Sequence, residues 1–217
     1  MRFVTVDTAS GLRNSIESFI RTRYFDSYGA DIRSFAPLLV AAIKGERVVC
    51  AAGLRTAADG FFSETYLDLP AENMIASLSG RPTARAGILE VTSLCSTSPA
   101  TSVRFIHEIA SYGLKHGFEW SMFAATERLQ RLLSALTFNP AELVRAYAHR
   151  VENPQAWGRY YDTQPSVVAV HRDTIARAIG QLTKAEQTAA PCAAYSCALF
   201  LASSRPVAHA SHERKAA

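Results

Sequence analysis

One carboxylate interrupts an otherwise strand-like run, Gly87-Ile-Leu-Glu-Val-Thr-Ser-Leu-Cys-Ser96. Strict alternation puts Ile88, Glu90, Thr92 and Leu94 on one face, and Leu89, Val91, Ser93 and Cys95 on the other. An ionised group in a strand interior needs a partner or a task, because its desolvation is costly. Two readings of Glu90 stand side by side. It is a general base or an anchor for a cationic amine, or it forms a structural ion pair with Arg55 or Arg23. Burial pushes such a carboxyl up and a nearby guanidinium pulls it down.

The same run leads into Ser96-Thr-Ser-Pro-Ala-Thr101 and a helix expected from about Ala100 to His116. A helix start offers unpaired N–H groups and the positive end of a dipole. Ser96, Thr97, Ser98 and Thr101 add hydroxyls, and Arg104 lies one turn in. This is either a cradle for a phosphate or phosphopantetheine arm, or an ordinary capped helix with Arg104 in solvent. Trp157-Gly-Arg-Tyr-Tyr-Asp-Thr-Gln-Pro165 is dense in aromatics. It either lines a pocket with tyrosine hydroxyls as donors or packs its rings over a sheet edge. Phe61-Phe-Ser-Glu-Thr-Tyr-Leu67 poses the same choice, with Glu64 as its acid.

Other chemistries lack their signatures. There is no G-x-S-x-G, H-E-x-x-H, G-x-G-x-x-G or P-loop pattern. The six histidines are scattered, so no metal is expected. Cys50, Cys95, Cys192 and Cys197 fit neither a metal nor a disulfide spacing. The formal charge is +4, with arginine outnumbering lysine nineteen to four, which favours forked contacts to carboxylate or phosphate. No basic block interleaves with aromatics, so no nucleic-acid groove is expected. No stretch reaches the roughly 18 to 20 apolar residues that span a bilayer, and the N-terminus has no secretory apolar region. A cytoplasmic location is the expectation.

The positioning elements follow from the pattern. Residues 2–6 read as a strand and 10–24 as an amphipathic helix with Ser10 as N-cap. Two apolar runs around Lys44-Gly-Glu46 make a hairpin within 35–55, and Pro70 opens a helix of about ten residues. After the strand at 87–95 and its helix come a strand at 120–125, a helix at 126–136, and strands at 143–148 and 167–171. Paired strands with helical crossovers imply an α/β (α+β) fold, a mixed sheet covered on both faces. The expected domain is residues 1–173, followed by a helical and apolar extension at 174–204 and a disordered tail at 205–217.

Several of these stretches together resemble one bacterial family, the thermostable hemolysins. They are Tyr28-Gly-Ala-Asp-Ile, Phe35-Ala-Pro-Leu-Leu, Ala51-Ala-Gly-Leu-Arg-Thr-Ala, Glu64-Thr-Tyr-Leu-Asp, Glu90-Val-Thr-Ser-Leu-Cys-Ser, Phe123-Ala-Ala-Thr and the Trp157–Pro165 run. They occur in the family's order across about residues 24–172. The family is similar to GNAT-type acyltransferases near the acyl-homoserine-lactone synthases. The resemblance implies a mostly antiparallel sheet with a splayed central parallel pair that admits the pantetheine arm.

It further implies an N-acyltransferase that takes its acyl group from a phosphopantetheine thioester, on an acyl carrier protein or coenzyme A. The acceptor is a small amine, and no cofactor is permanently bound. On this chain Glu90 matches the strand acid. Backbone groups from Leu94 through Cys95 to Ser96 would polarise the thioester, while Thr97, Thr101 and Arg104 would hold the phosphate. Arg55, Glu64 and Tyr160 are the candidates for the acceptor pocket.

The usual spaced glycines of the phosphate turn are replaced by Ser98-Pro99-Ala100, which suits a carrier-protein arm better than free coenzyme A. Thr92-Ser93 replaces a small-Asn pair, and Ala124 a threonine. The alternatives are a membrane-lytic protein with peripheral lipid contact, or a non-catalytic acyl-binding homologue.

Overall fold

A computed structural model describes residues 1–188. The apolar run at 192–202, the tail at 205–217, and Cys192 and Cys197 lie outside the described residues. Seven strands form one sheet in the order β1-β2-β3-β4-β5-β7-β6. They are β1 Arg2–Val6, β2 Leu38–Lys44, β3 Arg47–Arg55, β4 Ile88–Ser96, β5 Trp120–Ala125, β6 Ala141–Arg145 and β7 Ser166–His171. Four α-helices connect them, α1 Arg13–Tyr28, α2 Ala71–Ser79, α3 Pro99–Lys115 and α4 Glu127–Ala135, and α5 Arg172–Thr188 follows β7. Every neighbouring pair is antiparallel except β4 with β5. This is the mixed sheet that the paired-strand pattern implied, mostly antiparallel with one central parallel pair as the family resemblance implied.

Both faces of the sheet are covered. On one, α1 buries Ile16, Ile20 and Tyr24 against Leu39, Ala41 and Ala51. Beside it, α2 and the 3-10 turn Phe62–Tyr66 cover Ile88, Trp120 and Met122. On the other face, Phe105 and Ile109 of α3 pack on Leu54 and Leu89. Phe105 is fully buried, a side chain worth about 1.5–3 kcal/mol of apolar burial. Ile175 and Ala178 of α5 bury against Ile106 and Leu133 of α3 and α4, so the helix expected after Asp173 belongs to this core.

Ser10 does not cap α1 as expected. The N-cap is Leu12, and the Ser10 hydroxyl instead accepts the Leu12 N–H at 3.3 Å. The segment 61–67 contains the 3-10 turn Phe62–Tyr66.

The central strand departs from simple alternation. Ser93 sits at φ 51°, and the β3–β4 register shifts between Gly53 opposite Thr92 and Ala51 opposite Cys95. This bulge inserts a residue and restarts the period. Glu90, Thr92 and Cys95 therefore share the α1 face, whereas Leu94 packs among the α3-side clusters. Gly53 makes the bulge feasible: a Cβ there would lie 2.5 Å from Thr92 Oγ1 and 2.6 Å from the Ala36 Cβ.

Candidate functional site

The parallel pair holds only briefly. β4 and β5 match over Ile88–Glu90 and Trp120–Met122, after which β4 continues beside β3 and β5 beside β7. The bulge bends β4 away, and the gap opens a cavity of about 1020 Å³. The cavity passes through the sheet and differs on its two sides. Towards α1 it meets Arg23, Tyr24, Arg55, Ser63, Trp157 and Tyr160. Towards α3, α4 and α5 it meets Ile106, Ala110, Leu129, Leu132, Phe138 and Ile175. One half is polar and aromatic, the other an apolar chamber.

Glu90 lies behind the polar wall. It is fully buried, and its partner is neither arginine of the sequence expectation. Its Oε2 accepts the Phe62 N–H at 2.7 Å and its Oε1 the Ser63 N–H at 2.6 Å. Arg55 is its cross-strand partner but donates to the Asp59 carbonyl at 3.3 Å. Burial pushes the Glu90 carboxyl above the usual carboxylate range, opposed by the Ser63 hydroxyl, the two backbone donors and, as expected, the charge of Arg55. Phe62 and Ser63 line the cavity, so Ser63 stands between the open space and the acid. Sequence reasoning passed over Ser63, whose role depends on a turn that brings it to a strand 27 residues away.

The donor-side expectations divide. Leu94, Cys95, Ser96 and Thr97 line the cavity. Thr101 and Arg104 do not, and Arg104 is exposed. The helix start is the capped one. Ser98 Oγ accepts the Thr101 N–H at 3.3 Å, the Thr101 hydroxyl donates to the Ser98 carbonyl at 2.8 Å, and the Ser102 N–H returns to the Ser98 carbonyl at 3.0 Å. Pro99 has no N–H to offer, and the Thr97 N–H is bound to the Val49 carbonyl at 2.9 Å. Most of the expected phosphate donors are thus spent within the fold. Burial pushes the Cys95 thiol up to about 12, which rules it out as a nucleophile near neutrality.

The acceptor-side candidates also separate. Tyr160 is buried, lines the cavity, and packs edge-on to Tyr28 at 5.4 Å between ring centroids. Arg55 lines it as well. Glu64 does not. Both of its oxygens are held by Arg85, at 2.5 and 2.8 Å, and Oε1 also takes the Ala71 N–H at 2.9 Å. It latches the 3-10 turn to α2 rather than facing an acceptor. The loops at 28–31 and 156–159 close the wall: Asp31 N–H bonds the Ala156 carbonyl at 2.7 Å, and Arg159 N–H the Tyr28 carbonyl at 2.8 Å.

The fold recurs in solved structures of low identity. FeeM, an N-acyl amino acid synthase from uncultured soil microbes, matches with a TM-score of 0.56 at 12% identity, over 83% of this chain and 97% of that one. MesI, a CoA-dependent acyl-homoserine lactone synthase, matches with 0.53 at 20% identity, over 87% and 97%. BjaI, another CoA-dependent acyl-homoserine lactone synthase, whose structure holds SAM and isopentyl-CoA, matches with 0.52 at 15% identity, over 82% and 88%. No curated protein matches the sequence significantly. Among the described residues, no helix is long and apolar enough to cross a membrane. The family model described as thermostable hemolysin matches residues 6–176, and the chain belongs to the thermostable hemolysin family.

Proposed function

We propose that this protein is an N-acyltransferase, moving an acyl group from a phosphopantetheine thioester to a small amine in the cytoplasm. The observation that carries this reading is the single cavity through the splayed strands, polar towards α1 and apolar towards α3, α4 and α5. A fatty acyl chain fits the apolar chamber, and its thioester carbonyl then lies at the gap beside the bulge. The amine approaches from the polar side. The ammonium proton first passes to the Ser63 hydroxyl as Ser63 gives its own proton to Glu90. The neutral nitrogen then bonds to the carbonyl carbon, the C–S bond breaks, and the thiolate leaves, taking up the second proton that the nitrogen loses as the amide forms. Backbone groups of Leu94 to Ser96 border the carbonyl position. The fold shared with CoA-dependent synthases supports a phosphopantetheine donor. The saturated start of α3 favours a carrier-protein arm over the pyrophosphate of free coenzyme A.

The test supplies acyl-CoA and acyl-carrier-protein thioesters of short, medium and long chain with a panel of amines. Thiol release and product mass are read together. Amine-dependent thiol release with amide formation is expected, and its absence with every donor would overturn the reading. Ala110→Phe fills the apolar chamber and should shift preference to shorter chains, with kcat/KM for long chains falling on the order of tenfold or more.

A further inference from the structure

Three arginines border the cavity towards α1: Arg23, Arg33 and Arg55. Two have evident occupations. Arg33 is paired with Asp31 at 2.6 Å, and Arg55 donates to the Asp59 carbonyl. Arg23 differs. Its nearest carboxylate is Asp26, at 3.7 Å from Nη1, beyond a hydrogen bond. Its Nε is buried with no acceptor, a situation that among the described residues is found at no other buried side-chain nitrogen or oxygen. A charged donor left unmet in this way is unfavourable unless something completes it.

The position of Arg23 says what would complete it. The Nε is buried, while 35% of the side chain stays open and the residue borders the cavity. Its charge acts on Cys95, the residue the bulge returns to the α1 face. Cys95 lies two residues past Ser93, roughly 7 Å at the rise of a strand. An acceptor anchored there keeps its amine within reach of the gap between β4 and β5. Tyr24 and Tyr160 flank this wall as buried rings, which strengthens a charged contact by excluding water. Guanidinium binds anionic oxygens through a planar fork.

We infer that the acceptor amine carries an anionic group, a carboxylate or a phosphate, and that Arg23 is the residue that binds it. This rests on the acyltransferase reading for the amine, but its central contact is a binding event that needs no acyl donor.

The experiment follows Trp fluorescence, because Trp157 borders the cavity. Full-length wild type, Arg23→Gln and Arg23→Lys are titrated with α-amino acids, with the matching decarboxylated amines, and with O-phosphoethanolamine against ethanolamine. Near-ultraviolet circular dichroism checks that each variant is folded. At least one acid-bearing amine should bind about tenfold tighter or more than its neutral counterpart. Arg23→Gln should abolish that difference and leave the neutral amine unaffected, while Arg23→Lys restores part of it. Preference within the amino acids identifies a carboxylate, and preference for O-phosphoethanolamine a phosphate. Equal binding of acidic and neutral amines, no binding of any, or a preference that survives Arg23→Gln overturns the inference. Arg23-dependent binding without thiol release under any donor would overturn the acyltransferase reading alone. Transfer to acid-bearing and neutral amines at equal rates by wild type, unchanged in Arg23→Gln, would overturn this inference alone.

Discussion

The backbone nitrogen of Ser63 lies 2.6 Å from Glu90 Oε1, and of the two residues only Ser63 borders the cavity. The acid on the central strand is therefore screened by its own hydrogen-bond donor. Its hydroxyl also bonds Glu90, which gives a proton from the open space a path to the acid.

The two positions are separable by mutation. Ser63→Ala keeps the backbone N–H on Glu90 but loses the hydroxyl bond, so stability should fall by about 1–3 kcal/mol, while kcat drops on the order of 100-fold for loss of the relay. Glu90→Gln turns an amide NH2 towards the Phe62 or Ser63 N–H, which costs about 1–3 kcal/mol. Burial holds the Glu90 carboxyl above the usual range. Its protonated form thus favours the fold, and that contribution is full below the ordinary carboxylate range and lost as pH rises through the raised value. The wild-type rate should rise over that same interval, a limb that Glu90→Gln removes. Urea denaturation across pH and the kcat–pH profile are the measurements. Unchanged kcat in Ser63→Ala would exclude the relay.

Element order was legible because each strand and helix carries its own period, from the hairpin turning at Gly45 to the amphipathic helices. The face of each residue on β4 was legible only up to Thr92. Beyond it, Ser93 at φ 51° inserts an extra residue, and nothing in the local pattern marks a serine that adopts the left-handed region. Cys95 consequently changes face. Glu64 was misplaced for a different reason: its partner Arg85 is 21 residues away, and an acid beside aromatics looks the same whether it faces a ligand or an arginine. Thr101, expected at the phosphate, instead closes a capping box with Ser98, the capped-helix alternative that hydroxyl spacing alone does not distinguish from a cradle. The apolar chamber was invisible since Leu129 and Leu132 of α4 have the spacing of ordinary core residues.

The Glu64–Arg85 latch predicts a defined acid sensitivity. Arg85 hydrogen bonds hold the Glu64 carboxyl below its usual range. Stability from this pair is present above the ordinary carboxylate range and lost as pH falls through the depressed value. The side chains are 32% and 26% exposed, so Arg85→Met should cost only about 1 kcal/mol near neutrality. Its Tm should fall less steeply with acid than that of wild type. The variant should also lose activity, because Arg85 stacks on Phe61 at 4.6 Å and steadies the turn whose amides hold Glu90. Parallel Tm–pH curves for the two proteins would remove the latch from the acid response.

Gly158 joins the two loops that wall the acceptor side, and its backbone, at φ 53° and ψ −124°, is open to glycine alone without strain. A Cβ there would collide with the Tyr28 carbonyl oxygen and lie 2.8 Å from the Gly29 carbonyl carbon, both backbone atoms that no rotamer can move. Gly158→Ala must therefore part the contacts from Arg159 to Tyr28 and from Asp31 to Ala156, shifting Tyr160 on the following turn. Backbone strain of this kind costs roughly 1–3 kcal/mol. The kinetic signature separates it from general damage. KM for the amine should rise several-fold while KM for the thioester holds, because the apolar chamber lies across the sheet. Gly60→Ala is the control: it also sits in the left-handed region, at φ 69°, but a Cβ there meets nothing within 4 Å. It should lose stability to strain and keep both KM values. If the two variants raise the amine KM alike, the clasp at Gly158 does not shape the acceptor site.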